Sequence, residues 1–395
     1  MMRRGHIPEL DGVRGLACLL VIFLHVVVAP LPLFPGSWFD LARFRVQPFL
    51  NGGVDLFFIL SGFLISGILM DSRTSPSYFR SFWLARTSRI FPVYYLMIVF
   101  SIVMNWVNAN YPSVTAHLVG HATLSVWYYV GFVQNFALAL LPGGRASLGV
   151  TWSLAIEEQF YLVLPFLVFL LRRQALVALA IGIIVATPVI RGWVVQNVSW
   201  NAGYIFTVCR LDALMMGFLI ACIVRSERAL EIARRAQRGL NWLALVLIAL
   251  QLGDFWGTVG QIWERGGNSK VALILICAQY PLINLAMACL LLNVFTREAG
   301  PFRWLLKTKI LMTAGMISYG AYMYHQVFNY ALWGWLYGHE PKSMGLAQAY
   351  VPVLVLALTA IVALLSHQYF EMPVRRWARR TKSPAPPEGL VPSGA

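Results

Sequence analysis

The stretch "ELDGVRGLACLLVIFLH", residues 9–25, decides what kind of protein this is. It is apolar enough for hydrocarbon, yet it carries Asp11, Arg14 and His25. An arginine at the centre of a bilayer span costs at least about 2.5 kcal/mol, so an ionisable group there marks a functional face by default. At 100° per residue, the eleven positions from Arg14 to His25 make three turns plus about 20°, placing both on one face roughly 16 Å apart along the axis. A helix starting near Leu10 on the cytoplasmic side puts Arg14 in about its first turn and His25 about 22 Å up, nearer the outer surface. The plain alternative stays open at this point. Asp11 and Arg14 are i,i+3 and can simply pair, Arg14 can snorkel to the interface, and His25 can be a packing histidine.

The rest of the chain agrees with a membrane setting. Of its 395 residues, 59% are hydrophobic and 12% are charged, far from the balance of a soluble domain. Apolar runs suited to a hydrocarbon layer of about 30 Å fall at 10–31, 53–70, 90–107, 152–171, 174–190, 204–224, 240–253, 271–295, 311–336 and 349–370. They predict an all-α membrane protein, a polytopic bundle of about ten transmembrane helices. The net charge of +15 lies in short clusters between these runs rather than on one soluble face, so nucleic acid is not an expected partner and the bilayer is. With both termini cytoplasmic, inside segments hold 22 Lys and Arg and outside loops hold 7. A further apolar stretch, 118–141, would reverse that bias for every later loop if it crossed, so it is expected as a re-entrant or interfacial element on the outer side.

The basic start and first apolar run imitate a signal peptide, but cleavage after Ala29 would discard the most informative helix, and the segment is read as retained. Five scattered cysteines, with no C-x-x-C and no ligand spacing, predict neither a metal site nor a disulfide framework. The integral domain is expected over 1–377, followed by a cytoplasmic, disordered tail over 378–395.

Other spans carry polar groups of their own. "TWSLAIEEQFYLVLP" (151–165) enters from outside and sets Glu157 and Glu158 about 8 Å below the surface, the level estimated for His25. A carboxylate there would orient the imidazole and raise its basicity. Adjacent glutamates project about 100° apart, so only one can face the same cavity squarely. His325 in "MISYGAYMYHQ" (316–326) rises to about 21 Å from the inside and is the rival base. Arg210 and Asp212 are read equally as a structural ion pair or a substrate contact. "RTSRIFPVYY" (86–95) sets Arg86 and Arg89 one turn apart at the inner side, where guanidinium forks match phosphate oxygens, although topology alone would also put arginines there.

Taken together, these segments resemble the acyltransferase 3 family of integral membrane acyltransferases. The likeness rests on "LDGVRGLACLLVIFLH", "GGVDLFFILSGFLISGIL", "RTSRIFPVY", "TWSLAIEEQFYLVLP", "ISYGAYMYH" and "YFEMPVRRW", in family order from residue 9 to 377. The resemblance implies a bacterial cell-membrane enzyme that moves an acyl group, commonly acetyl from acetyl-CoA, to a hydroxyl of a carbohydrate or lipid-linked glycan. Arg14 and His25 match the family's essential pair, and Arg86 and Arg89 its Arg-x-x-R motif, which helps hold the coenzyme. On this reading Arg14, Arg86 and Arg89 bind the donor. His25 is the general base, with Glu157, Glu158 and His325 as its partners or rivals. Direct transfer is preferred to an acyl-histidine, because no separate base for a second step is in sight. Ser61 and Tyr161 are read as packing residues, with a hydrogen bond to the thioester oxygen as the alternative. Trp38, Trp127, Tyr128 and Tyr129 stack on sugar rings or anchor at the interface. Some relatives carry an extra C-terminal hydrolase-like domain; fewer than 30 residues follow the last run here, so action without one is expected. The competing class is a transporter or flippase for a lipid-linked glycan, and a membrane sensor or scaffold is the third.

Overall fold

The computed structural model describes residues 7–32, 38–110, 124–142, 146–252, 270–297, 299–342 and 344–380. Among them every regular element is helical. In chain order these are α1 (Pro8–Phe23), continued by a π-helical turn Leu24–Val28, α2 (Trp38–Ser72), α3 (Tyr78–Asn110), α4 (Val126–Val130) and α5 (Gln134–Leu140). A 3-10 turn, Ala146–Thr151, leads into α6 (Trp152–Leu170), followed by α7 (Arg173–Asn197), α8 (Trp200–Ile205), α9 (Leu211–Val224), α10 (Glu227–Arg235) and α11 (Gln237–Leu252). The last are α12 (Lys270–Thr296), α13 (Pro301–Leu306), α14 (Lys309–Tyr337), α15 (Tyr350–Ser366) and, beyond a π-helical turn His367–Glu371, α16 (Met372–Arg380).

Each of the ten apolar runs falls on helix, but they are not alike. Seven helical stretches are long and apolar enough to cross a membrane: Pro8–Val28, Arg45–Ser72, Tyr78–Asn110, Leu148–Leu170, Arg173–Asn197, Cys277–Thr296 and Tyr350–Ala378. Of the other three runs, α9 has 14 residues and α11 has 16. α14 is 29 residues long and carries a polar stripe of Ser318, Tyr322, His325 and Asn329. The run expected at 204–224 is broken into α8, a 3-10 turn at Thr207–Cys209, and α9. Side chains satisfy the backbone at the break, as a membrane interior requires. Arg191 donates to the Cys209 carbonyl from Nε at 3.0 Å and Nη2 at 2.5 Å, and Asn135 Nδ2 donates to the Ile205 carbonyl at 3.1 Å.

Of the stretch 118–141, residues 118–123 lie outside the described residues. The rest forms α4 and α5, each far too short to cross. Between them Phe132 sits at φ +54°, a strained value for a side chain of that size. Its surroundings hold it there. The ring stacks on Tyr94 at 4.4 Å, Gln159 Nε2 donates to its carbonyl at 2.7 Å, and the hydroxyls of Tyr94 and Tyr95 donate to the flanking carbonyls of Tyr129 and Val130. Of the tail expected over 378–395, residues 378–380 are the end of α16, and residues 381–395 lie outside the described residues.

What brings the polar faces together is close helix crossing at glycines. A methyl group on Gly15 of α1 would collide with the Leu311 carbonyl, and one on Gly315 of α14 with the Asp11 carbonyl. Backbone therefore lies on backbone, as small residues permit in membranes. Gly62 of α2 and Gly217 of α9 make the same kind of crossing. At the N-terminal end of α1, Glu9 is clamped by Arg303 at 2.6 Å and Lys307 at 2.9 Å. Gly315→Val should therefore destabilise by at least the about 1–3 kcal/mol of ordinary overpacking, since the obstruction is main chain. Gly182→Val, at an exposed position with nothing within 4 Å, is the matched control, and thermal unfolding of the detergent-solubilised proteins reads the difference.

Candidate active site

A cavity of about 840 Å³, continuous in part with solvent, opens between α1, α2, α3, α6 and α14. All three arginines singled out from the sequence line it: Arg14, Arg86 and Arg89. Arg86 and Arg89 share a face of α3 because they are i,i+3. Arg14 makes the local pair its spacing allows, with Asp11 at 2.9 Å. Among the described residues neither Arg86 nor Arg89 has an ion-pair partner, and Arg86 Nε is buried without a hydrogen bond. Two guanidinium groups without ion-pair partners on one wall, beside a third that a carboxylate steadies, present the forked donors that match an anion's oxygens.

Further along the same cavity stands a polar cluster. Tyr161 donates to Glu157 Oε2 at 2.5 Å, Ser61 Oγ donates to the same oxygen at 3.2 Å, and the two hydroxyls touch each other. Ser61 and Tyr161 thus form part of the site rather than simple packing. Glu158, turned away by the helical phase, does not line the cavity, and its Oε1 is buried without a hydrogen-bond partner among the described residues. The far end is closed by Tyr322 and Ser153, whose hydroxyls are 2.8 Å apart.

Beyond Tyr322 lie the two histidines. His25 Nδ1 is 2.9 Å from His325 Nε2, with ring planes 4° apart and centroids 5.2 Å apart. Parallel rings with so short a nitrogen contact and so wide a centroid separation lie side by side in nearly one plane, which suits an in-plane N–H···N bond. His325 is fully buried, and its Nδ1 is 2.7 Å from the Tyr322 carbonyl. The Tyr322 ring, which lines the cavity, also packs against that of His325 at 5.7 Å.

The pairing of His25 with a glutamate, expected from equal depth, is not formed. α6 and α14 run antiparallel, with Ser153 level with Tyr322. Glu157 lies four residues beyond that level in one direction and His325 three in the other, so about 10 Å of axial rise separates them. Depth counted from the first helical residue misleads here because the chain is already buried at Leu148. Arg14 and His25 also do not share the cavity. The roughly 16 Å of rise between them carries His25 beyond the residues that line the cavity, which include Arg14 and Tyr322 but not His25. Tyr322, Ser153 and Asn329 went unnoticed in the sequence, although 318, 322, 325 and 329 repeat at helical spacing as one polar stripe.

The profile of the acyltransferase domain family Acyl_transf_3 matches residues 7–366. The chain belongs to this acyltransferase family. It is similar to the peptidoglycan O-acetyltransferase OatA of Listeria monocytogenes, 27% identical over 393 residues, which cover 94% of this chain and 56% of that one. It is likewise similar to the O-acetyltransferase OatA of Staphylococcus aureus, 25% identical over 400 residues, or 94% and 57% of the two chains. The chain therefore spans about half the length of the curated relatives it matches. No solved structure matches it significantly.

Arg210 and Asp212 do not pair with each other. Arg210 bonds Asp55 at 2.7 Å and Arg191 bonds Asp212 at 2.7 Å, all four fully or almost fully buried. The Arg210 guanidinium is also boxed by Phe58, Trp152, Tyr204 and Tyr280 at 4.9–5.9 Å, a setting in which ring faces supplement the carboxylate. These pairs tie α2, α7 and α9 together. Removing one partner strands a buried charge, so Asp55→Ala is expected to cost about 3–5 kcal/mol, read as a fall in unfolding temperature and in yield of monodisperse protein.

Proposed function

We propose that the chain is a membrane O-acyltransferase that moves an acetyl group from acetyl-CoA at the inner face to a hydroxyl of a cell-surface glycan. The observation that carries this reading is one continuous arrangement: uncommitted arginines at one end of a cavity, and a hydrogen-bonded histidine pair behind its other end. The relatives' names support a glycan acceptor, with peptidoglycan or its lipid-linked precursor as the class to test first. The positive-inside bias supports a bundle of about ten crossings with both termini in the cytoplasm, the mouth of the cavity facing the donor's compartment.

On this reading the donor's phosphates pair with Arg86, Arg89 and Arg14, and its pantetheine arm runs past Ser61, Tyr161 and Glu157. The Tyr322 side chain swings aside to admit the thioester. The acceptor oxygen attacks the thioester carbonyl as its proton passes to His25, the carbon–sulfur bond breaks, and the leaving thiolate takes that proton. His25 ends the cycle neutral. Positioned base catalysis of this kind contributes about 10²- to 10⁴-fold.

The test is turnover of labelled acetyl-CoA by protein reconstituted in vesicles with a muropeptide or lipid-linked glycan acceptor. His25→Ala should lower kcat by about 10²- to 10⁴-fold with little change in donor KM. Arg86→Gln with Arg89→Gln should raise donor KM by about 10- to 100-fold, since a charge-assisted hydrogen bond is worth about 1.5–3 kcal/mol. Acetylation that persists undiminished in His25→Ala removes the proposed base, and acceptor crossing without modification replaces the enzyme with a flippase.

A further inference from the structure

The chemistry just proposed needs a lone pair on His25, and the surrounding geometry says which nitrogen carries it. We propose that His325 is a positioning residue that holds His25 in the tautomer protonated on Nδ1, leaving Nε2 as the proton acceptor. A backbone carbonyl can only accept a hydrogen bond. His325 Nδ1 lies 2.7 Å from the Tyr322 oxygen, so this nitrogen carries a proton. In a neutral imidazole the other nitrogen then has a lone pair and no hydrogen. That nitrogen, His325 Nε2, is 2.9 Å from His25 Nδ1, so the shared proton belongs to His25 Nδ1. One ring nitrogen of His25 remains, and it is unprotonated.

The main chain fixes the ring in the matching orientation. Residues Leu24–Val28 are π-helical, and the Ala29 N–H is bonded back to the Leu24 carbonyl at 2.7 Å. The His25 carbonyl therefore lacks its usual donor four residues on. Five residues on stands Pro30, which has no N–H to offer. Asn329 supplies the missing donor from across the crossing, its Nδ2 reaching the His25 oxygen at 3.2 Å. One stripe of α14 thus grips His25 twice, by ring and by carbonyl, and the second-nitrogen hydrogen bond sets the tautomer as it does for metal-bound histidines.

This inference rests on the base role of His25, but its primary readout does not. Nitrogen-15 spectra of histidine-labelled full-length protein in nanodiscs, assigned by comparison with His25→Ala and His325→Gln, should show His25 protonated on Nδ1 and bare on Nε2. In His325→Phe the His25 proton should redistribute to Nε2, and kcat should fall by about 10²-fold or more while donor KM holds. In His325→Gln the amide oxygen takes the place of the lost Nε2 acceptor, so the tautomer should persist and kcat recover to within about tenfold of the parent, given that the replacement keeps the hydrogen bond. A parent spectrum with His25 protonated on Nε2 overturns the proposal. So does equal loss of activity in the Gln and Phe variants when both retain the parental tautomer. Undiminished turnover in His25→Ala, by contrast, is a failure of the base reading itself, visible in the assay whatever the spectrum gives.

Discussion

The structure depends on one contact, the crossing of α1 and α14 with no side chain between their backbones. Gly15 and Gly315 permit it, and the rest of the site follows from that proximity. Only helices this close can share a hydrogen bond between two rings on opposing faces and a second from an amide to a freed carbonyl. The π-helical turn would elsewhere leave a carbonyl unsatisfied in a medium without water. Here Asn329 meets that need, so the irregular winding and the glycine crossing stabilise each other.

The buried arginines show how the same side chain serves two purposes. Arg191 and Arg210 are each paired with a buried aspartate and, for Arg210, enclosed by aromatic rings as well. They join helices. Arg86 and Arg89 line a cavity without ionic partners among the described residues. In a low-dielectric setting such unspent charge attracts an anion more strongly than it would at a wet surface. The aspartates, not the arginines, make the distinction, because a carboxylate bonds each of one pair directly, whereas the other pair faces the cavity.

Much of this could be read directly. Hydropathy located the helices, and the charge bias disfavoured 118–141 as a crossing. The Arg-x-x-R spacing put two guanidinium groups on one face. The segments quoted from residues 9 to 377 carried the family. Less legible was the break at 206–210, since hydropathy averages over a window and does not register that Arg191 and Asn135 substitute for helical hydrogen bonds there. Pro30 and the repeat at 318, 322, 325 and 329 were visible but had no evident meaning until a second helix stood beside them.

The sequence by itself determined an all-helical membrane protein, its family, and the ionisable groups that its helices carry inward. These follow from side-chain polarity and from a helical period that is nearly constant within one element. Which groups meet was decided only by the tertiary structure: His25 with His325 rather than Glu157, and Arg210 with Asp55 rather than Asp212. Contact between elements depends on where each helix starts, where its winding loosens and how closely two backbones approach, and packing sets all three.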